Sequence, residues 1–196
     1  MRIFAEFLLF FYFCEMANGP SEISLLGIDF EKYIPHAQII TSIQHVAEEI
    51  NRDYQGKEIK FVSVLNGAFM FTSDLLKYIT VPCSVTFIRA KSYHGMNSTG
   101  EVTLATDLSE PLVDKHVIVL EDIVDTGVTI RALSERIEKE NPASYKVCSL
   151  LIKPDTYKGD RKIDYVALQI PNDFIVGYGL DYNEYGRNLP DIYKVK

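Results

Sequence analysis

Short runs of β-branched and aromatic residues recur along this chain, several of them apolar at nearly every position rather than at every second one. They are "KFVSVL" (Lys60 to Leu65), "SVTFIRAKSY" (Ser84 to Tyr93), "HVIVLE" (His116 to Glu121), "YKVCSLLI" (Tyr145 to Ile152) and "YVALQI" (Tyr165 to Ile170). A strand that is apolar on both sides has to be covered on both faces, and a parallel sheet between layers of helices provides that cover. The intervening segments supply the helices. After Pro35, residues Ile39, Ile40, Ile43, Val46, Ala47 and Ile50 recur at helical spacing, with Glu48, Glu49 and Arg52 opposite, up to Gly56. Ala68 to Ile79 predicts a second helix, and a third runs through Ile130, Leu133 and Ile137 until Asn141-Pro142 stops it. The expected fold is α/β, a mostly parallel twisted sheet with helices on both faces. With 196 residues and no repeat or linker, residues 21–196 are expected to form a single domain.

The leader needs its own account. Phe7 to Cys14 is unbroken in its apolar character but far short of the roughly twenty residues a bilayer span requires. Arg2 before it and small residues after it favour a signal peptide, whereas Glu6 and the single basic residue oppose one. We expect residues 1–20 to be an extension outside the folded domain, with Met16 as the native start. Cys14, Cys83 and Cys148 are odd in number and widely spaced, which suits a reducing, cytoplasmic setting and no disulfide or zinc framework. A formal net charge of −7 argues against nucleic-acid or anionic-membrane partners, so any anionic ligand must be held by local features.

Such a feature follows the third apolar run. In "VLEDIVDTGVTI" the carboxylates Glu121, Asp122 and Asp125 precede Thr126, Gly127 and Thr129. Ligands of open α/β sheets sit beyond the carboxyl ends of the strands, and a turn into a helix presents unpaired amides to a phosphate. Asp125 or Thr126 could serve only as an N-cap, but a helix start has no use for Glu121 and Asp122. Since a phosphate is repelled by acids, the three carboxylates must face sugar hydroxyls, a divalent cation or a proton to be removed.

This segment resembles the signature with which type I phosphoribosyltransferases hold 5-phosphoribosyl-1-pyrophosphate (PRPP). Three further stretches, "KSYHGMNSTG" (Lys91 to Gly100), "SLLIK" (Ser149 to Lys153) and "DFIVGYGLDYNEYGRNLPDIY" (Asp173 to Tyr193), are similar in order and spacing to the hypoxanthine-guanine phosphoribosyltransferases. Together they cover roughly residues 22–193. The resemblance implies the type I fold with a small hood from the chain ends, and Mg²⁺-dependent transfer of the phosphoribosyl group to N9 of hypoxanthine or guanine in purine salvage. It assigns ribose and metal contacts to Glu121 and Asp122, proton exchange at purine N7 to Asp125, and the 5′-phosphate to Thr126, Gly127 and Thr129. For the purine it assigns Lys153 at O6, Phe174 as the stacking ring, Ile175 through its backbone, and Asp181 near a metal. Pyrophosphate falls to Arg187 and to Leu65, Asn66 and Gly67, with a cis peptide before residue 66; many relatives carry lysine where this chain has Asn66. Ser92 and Tyr93 belong to the loop that closes over the site. A homodimer or homotetramer is also implied.

Other classes predict different residues. A PRPP-binding regulator of nucleic acid calls for a basic face, which this chain lacks. Transferases for adenine, uracil or orotate would keep the acidic segment without Lys153 and Phe174 in this order. A purely structural domain leaves the three carboxylates unexplained.

Overall fold

The computed structural model describes residues 19–92, 102–104 and 110–196; residues 1–18 of the expected leader and the loop at 94–100 lie outside the described residues, whereas Gly19 and Pro20, also assigned to the leader, accept through their carbonyls from Lys32 and Tyr193. Two compact units are present, one spanning Ile40–Asn172 and the other formed by the described residues up to Ile39 together with Asp173–Lys196.

In the larger unit the strands are β3 (Ile59–Leu65), β4 (Cys83–Ser92), β5 (Val102–Leu104), β6 (His116–Val124), β7 (Ser144–Ile152) and β8 (Tyr165–Gln169). They form one sheet in the order β5-β4-β3-β6-β7-β8. All neighbours are parallel except β5, which runs antiparallel to the end of β4. The apolar runs pair as their composition predicts: β3 and β6 are the innermost strands, and Val117, Ile118, Val119 and Leu120 are wholly buried.

Helices cover both faces. Val62, Val64, Val117 and Val119 pack with Leu133 and Ile137 of α3 (Val128–Glu138). Ser63, between the two valines of β3, points to the opposite face because side chains alternate along a strand. There its hydroxyl shares a hydrogen bond of 2.7 Å with Thr72 of α2 (Phe69–Leu76). The first helix among the described residues, α1, runs His36–Asp53.

The smaller unit holds an antiparallel sheet in the order β1-β2-β10-β9, with β1 Glu22–Leu25, β2 Ile28–Ile34, β9 Ile175–Val176 and β10 Ile192–Val195. Phe30, Val176 and Tyr193 form its core. Beneath them the fully buried Asp191 accepts from the His36 amide at 2.7 Å and pairs with Lys32 at 2.8 Å. This sheet, made from the chain ends, is the hood that the resemblance implies. Among the described residues no helix is long and apolar enough to cross a membrane.

Candidate active site

Strand β6 extends further than its apolar run. Pairing with β7 continues past Glu121 through Ile123↔Leu151 and Val124↔Ile152, so Asp122 as well as Glu121 lies within the strand, which ends at Val124. Backbone pairing is indifferent to a charged side chain, and for that reason composition alone placed the strand end too early. Glu121 is only 5% exposed, and its Oε2 has no hydrogen-bond partner among the described residues. Burial, reinforced by the neighbouring Asp122, pushes its carboxyl well above the usual carboxylate range. Asp122 is partly exposed and accepts at Oδ1 from the Ile123 amide.

The turn that follows is capped by Gly127 in the left-handed region (φ 87°), without any side-chain cap. A side chain is strained at that φ, and a Cβ there would meet the Tyr157 ring at 2.5 Å. The N-cap residue is Gly127 rather than Asp125 or Thr126. The first bond of α3 runs from the Arg131 amide to the Gly127 carbonyl, which leaves the amides of residues 128–130 without intrahelical acceptors and oriented for an anion. No acidic residue sits in this first turn to repel one. Beside the turn a cavity of about 620 Å³ opens between α3 and residues 157–164, lined by Thr126, Gly127, Arg131, Tyr157 and Lys162 among others.

Asp125 is engaged elsewhere. Its Oδ1 accepts from the Thr156 hydroxyl at 2.6 Å, and its Oδ2 faces the Lys153 ammonium at 3.2 Å. Lys153 is 8% exposed and donates also to Asn172 Oδ1 at 3.2 Å. An ammonium has three donors, so one remains for a further acceptor. Thr156 and Asn172 were not foreseen, because each lies far along the chain from the group it meets. The turn "KPDT" hints at a hydroxyl near Lys153 but says nothing of Asp125.

The loop after β3 adjoins the acidic pair. The Leu65-Asn66 peptide is cis. A Cβ on Gly67 would fall 1.5 Å from Asp122 Oδ2, so only glycine permits this approach. Asn66 Oδ1 accepts from Arg89 at 3.0 Å, the residue paired with Leu65 across β3 and β4. Thr129 lies in the first turn of α3 and Ser92 ends β4, whereas Tyr93 is outside the described residues.

In the smaller unit, Phe174 is 48% exposed and contacts Phe30 in a tilted pair and Tyr182 edge-on, with ring centroids at 6.3 and 5.8 Å. Ile175 is buried in β9. Asp181 and Arg187 pair with each other at 2.6 Å. Arg187 also donates to the Gly179 carbonyl, and the Glu184 amide donates to Asp181. Among the described residues no three His, Cys, Asp or Glu side chains cluster as a metal cage.

The larger unit thus brings together carboxylates on and just after β6, a glycine-capped turn and a buried lysine at the end of the neighbouring parallel strand. Residues 30–183 match the family model for the phosphoribosyl transferase domain, and the chain belongs to that family. It is 42% identical over 159 residues to the hypoxanthine-guanine phosphoribosyltransferase of Staphylococcus aureus, covering 79% of this chain and 89% of that one. A solved hypoxanthine-guanine phosphoribosyltransferase from Bacillus anthracis is 40% identical and superimposes with a TM-score of 0.80 over 85% of this chain and 98% of that one. The Trypanosoma cruzi hypoxanthine phosphoribosyl transferase is 34% identical, with a TM-score of 0.81 over 89% and 95% of the two chains.

Proposed function

We propose that this enzyme transfers the 5-phosphoribosyl group of PRPP to N9 of hypoxanthine or guanine, giving IMP or GMP and pyrophosphate in purine salvage. One observation carries the choice of base. The Lys153 ammonium and the Asp125 carboxylate stand side by side, 3.2 Å apart, at the ends of adjacent strands. A 6-oxopurine presents O6 and N7 as neighbouring atoms on one edge, an acceptor for the ammonium beside a site of proton exchange for the carboxylate. Adenine offers an amino group instead, which leaves a buried cation facing a donor.

The remaining roles follow the chemistry of each group. Thr126, Gly127 and Thr129, with the open amides of α3, hold the 5′-phosphate. Glu121 and Asp122 hold the ribose hydroxyls. Asp125 takes up or returns the N7 proton as N9 becomes nucleophilic. Leu65, Asn66 and Gly67 receive pyrophosphate through their backbone, and Arg187 adds a cation. Phe174 stacks on the purine, Ile175 contacts its edge through the backbone, and Asp181 supplies a carboxylate near a metal. Ser92 and Tyr93 belong to the segment that excludes water.

Mg²⁺ fits this site. Glu121 and Asp122 are hard oxygen donors, Glu121 Oε2 is a buried acceptor without a partner among the described residues, and Mg²⁺ is commonly held by one or two carboxylates plus substrate oxygens. An ion held by Glu121 and Asp122 would supply charge neutralisation to the departing pyrophosphate, and Asp181 would offer a carboxylate to a second ion. We further infer a cytoplasmic protein whose residues 21–196 act as one catalytic domain, assembled as a homodimer or homotetramer; light scattering measures the mass. Pyrophosphate release from PRPP with hypoxanthine, guanine, xanthine and adenine in turn tests the function. Turnover with hypoxanthine or guanine and none with adenine is expected. Equal turnover of adenine refutes the role of Lys153.

A further inference from the structure

We propose that Thr156 is a positioning residue that fixes the Asp125 carboxylate in its working orientation; this rests on Asp125 being the group that exchanges the N7 proton. A carboxylate turns readily about its last single bond, so its aim has to be imposed from outside. Two contacts impose it here. Thr156 Oγ1 lies 2.6 Å from Asp125 Oδ1, and Lys153 Nζ lies 3.2 Å from Oδ2. The threonine hydroxyl has one proton and two acceptors in reach, since the Lys153 carbonyl is 3.2 Å away. The shorter, charge-assisted bond to Asp125 takes it.

Both contacts originate in one turn. The amides of Thr156 and Tyr157 donate to the Lys153 carbonyl at 3.2 and 3.0 Å, closing the turn over Pro154. The Lys153 amide donates to the Val124 carbonyl at 3.0 Å, pinning the same turn to the residue before Asp125. The lysine that reads O6 and the hydroxyl that aims the acid are thus set at a constant separation by a few residues of backbone. With Oδ1 held by Thr156, Oδ2 keeps lone pairs for both Lys153 and N7. Without the hydroxyl, the carboxylate is free to rotate and close onto Lys153, and both groups lose their aim.

A Thr156 that merely closes its own turn would act on stability instead. The test compares wild type, Thr156→Val, Thr156→Ser, Asp125→Asn and the Thr156→Val/Asp125→Asn double variant, reading kcat, KM for PRPP and thermal stability. Displacing a catalytic group by a fraction of an ångström to an ångström costs about 10- to 100-fold, so Thr156→Val should lose that much kcat while KM for PRPP changes by less than about twofold. Thr156→Ser should recover most of the loss. In the Asp125→Asn background, Thr156→Val should cost almost nothing more, since it acts through the acid already removed. Thr156→Ala, which deletes the same hydroxyl from a partly exposed turn, replaces valine should the latter disturb folding. A Thr156→Val enzyme with wild-type kcat beside a slow Asp125→Asn enzyme overturns the inference alone. Full additivity in the double variant does the same. An Asp125→Asn enzyme as fast as wild type removes the reading beneath it, and Thr156 then positions nothing.

Discussion

Replacing Lys153 by methionine keeps the length of the side chain and deletes its charge at a position that is 8% exposed. The two protein acceptors it loses are not trapped: the Asp125 side chain is 42% exposed and Asn172 is exposed, so water can replace the ammonium at both. The cost to folding should therefore be small, well under the several kcal/mol of a deeply buried broken pair, and the melting temperature should move by only a few degrees. The cost to catalysis is different in kind. A hydrogen bond from a charged donor to purine O6 contributes about 1.5–3 kcal/mol, which at about 1.4 kcal/mol per decade corresponds to a loss of roughly 10- to 150-fold in kcat/KM for hypoxanthine. Adenine gains in relative terms, because the donor facing its amino group is gone. Steady-state kcat/KM for both bases, with the melting temperature measured in parallel, checks this. A Lys153→Met enzyme that keeps its hypoxanthine preference would show that another group reads O6.

Three further outcomes follow from single contacts. In Gly67→Ala the new methyl falls 1.5 Å from Asp122 Oδ2, so the loop or the carboxylate has to move; kcat/KM for PRPP should drop by about 10- to 100-fold, and an unchanged PRPP titration would refute the pyrophosphate role of this loop. Excess chelator should abolish turnover, and undiminished rates would sink the Mg²⁺ assignment. Burial opposes ionisation of Asp191, but Lys32 and the His36 amide outweigh it and hold the carboxyl below its usual range. A depressed folded value means stability that is present above the unfolded value of about 3.9 and lost as pH falls through the folded one. Asp191→Asn should thus be destabilised by about 1–3 kcal/mol at neutral pH, with the gap to wild type closing in acid; a gap independent of pH in denaturant titrations would contradict the assignment.

The central sheet was legible because buried parallel strands leave continuous apolar runs and their crossovers leave helical periodicity; β3, β4, β6, β7 and β8 all fall where those runs lie. The hood left no such trace in periodicity and was expected only from the resemblance. Strands β1 and β2 are mostly half-buried or exposed, β9 is two residues long, and its partner β10 lies beyond a loop of irregular structure. The β1–β2 hairpin turns at Leu26 and Gly27 with positive φ at both, a conformation that leucine does not advertise. At the candidate site, Glu121 to Thr129 could be read together from the sequence because they are consecutive along the end of β6 and the turn into α3. Thr156 and Asn172 were not, since they meet Asp125 and Lys153 across 31 and 19 positions of chain, and such contacts exist only once the strands are adjacent. The cis peptide before Asn66 was expected from the resemblance, whereas the Arg89 contact of Asn66 follows from the register of β3 and β4.

The account separates the three strand-end acids by role, and the turnover number of Asp125→Asn at saturating PRPP and hypoxanthine tests that separation most directly. Asparagine keeps the size of aspartate and much of its hydrogen bonding but cannot exchange a proton at N7. The account predicts a kcat lower by about 10² to 10⁴, with PRPP affinity little changed, whereas Glu121→Gln/Asp122→Asn should weaken PRPP binding instead. An Asp125→Asn enzyme turning over at the wild-type rate would contradict the account and leave all three carboxylates as ligand-holding groups.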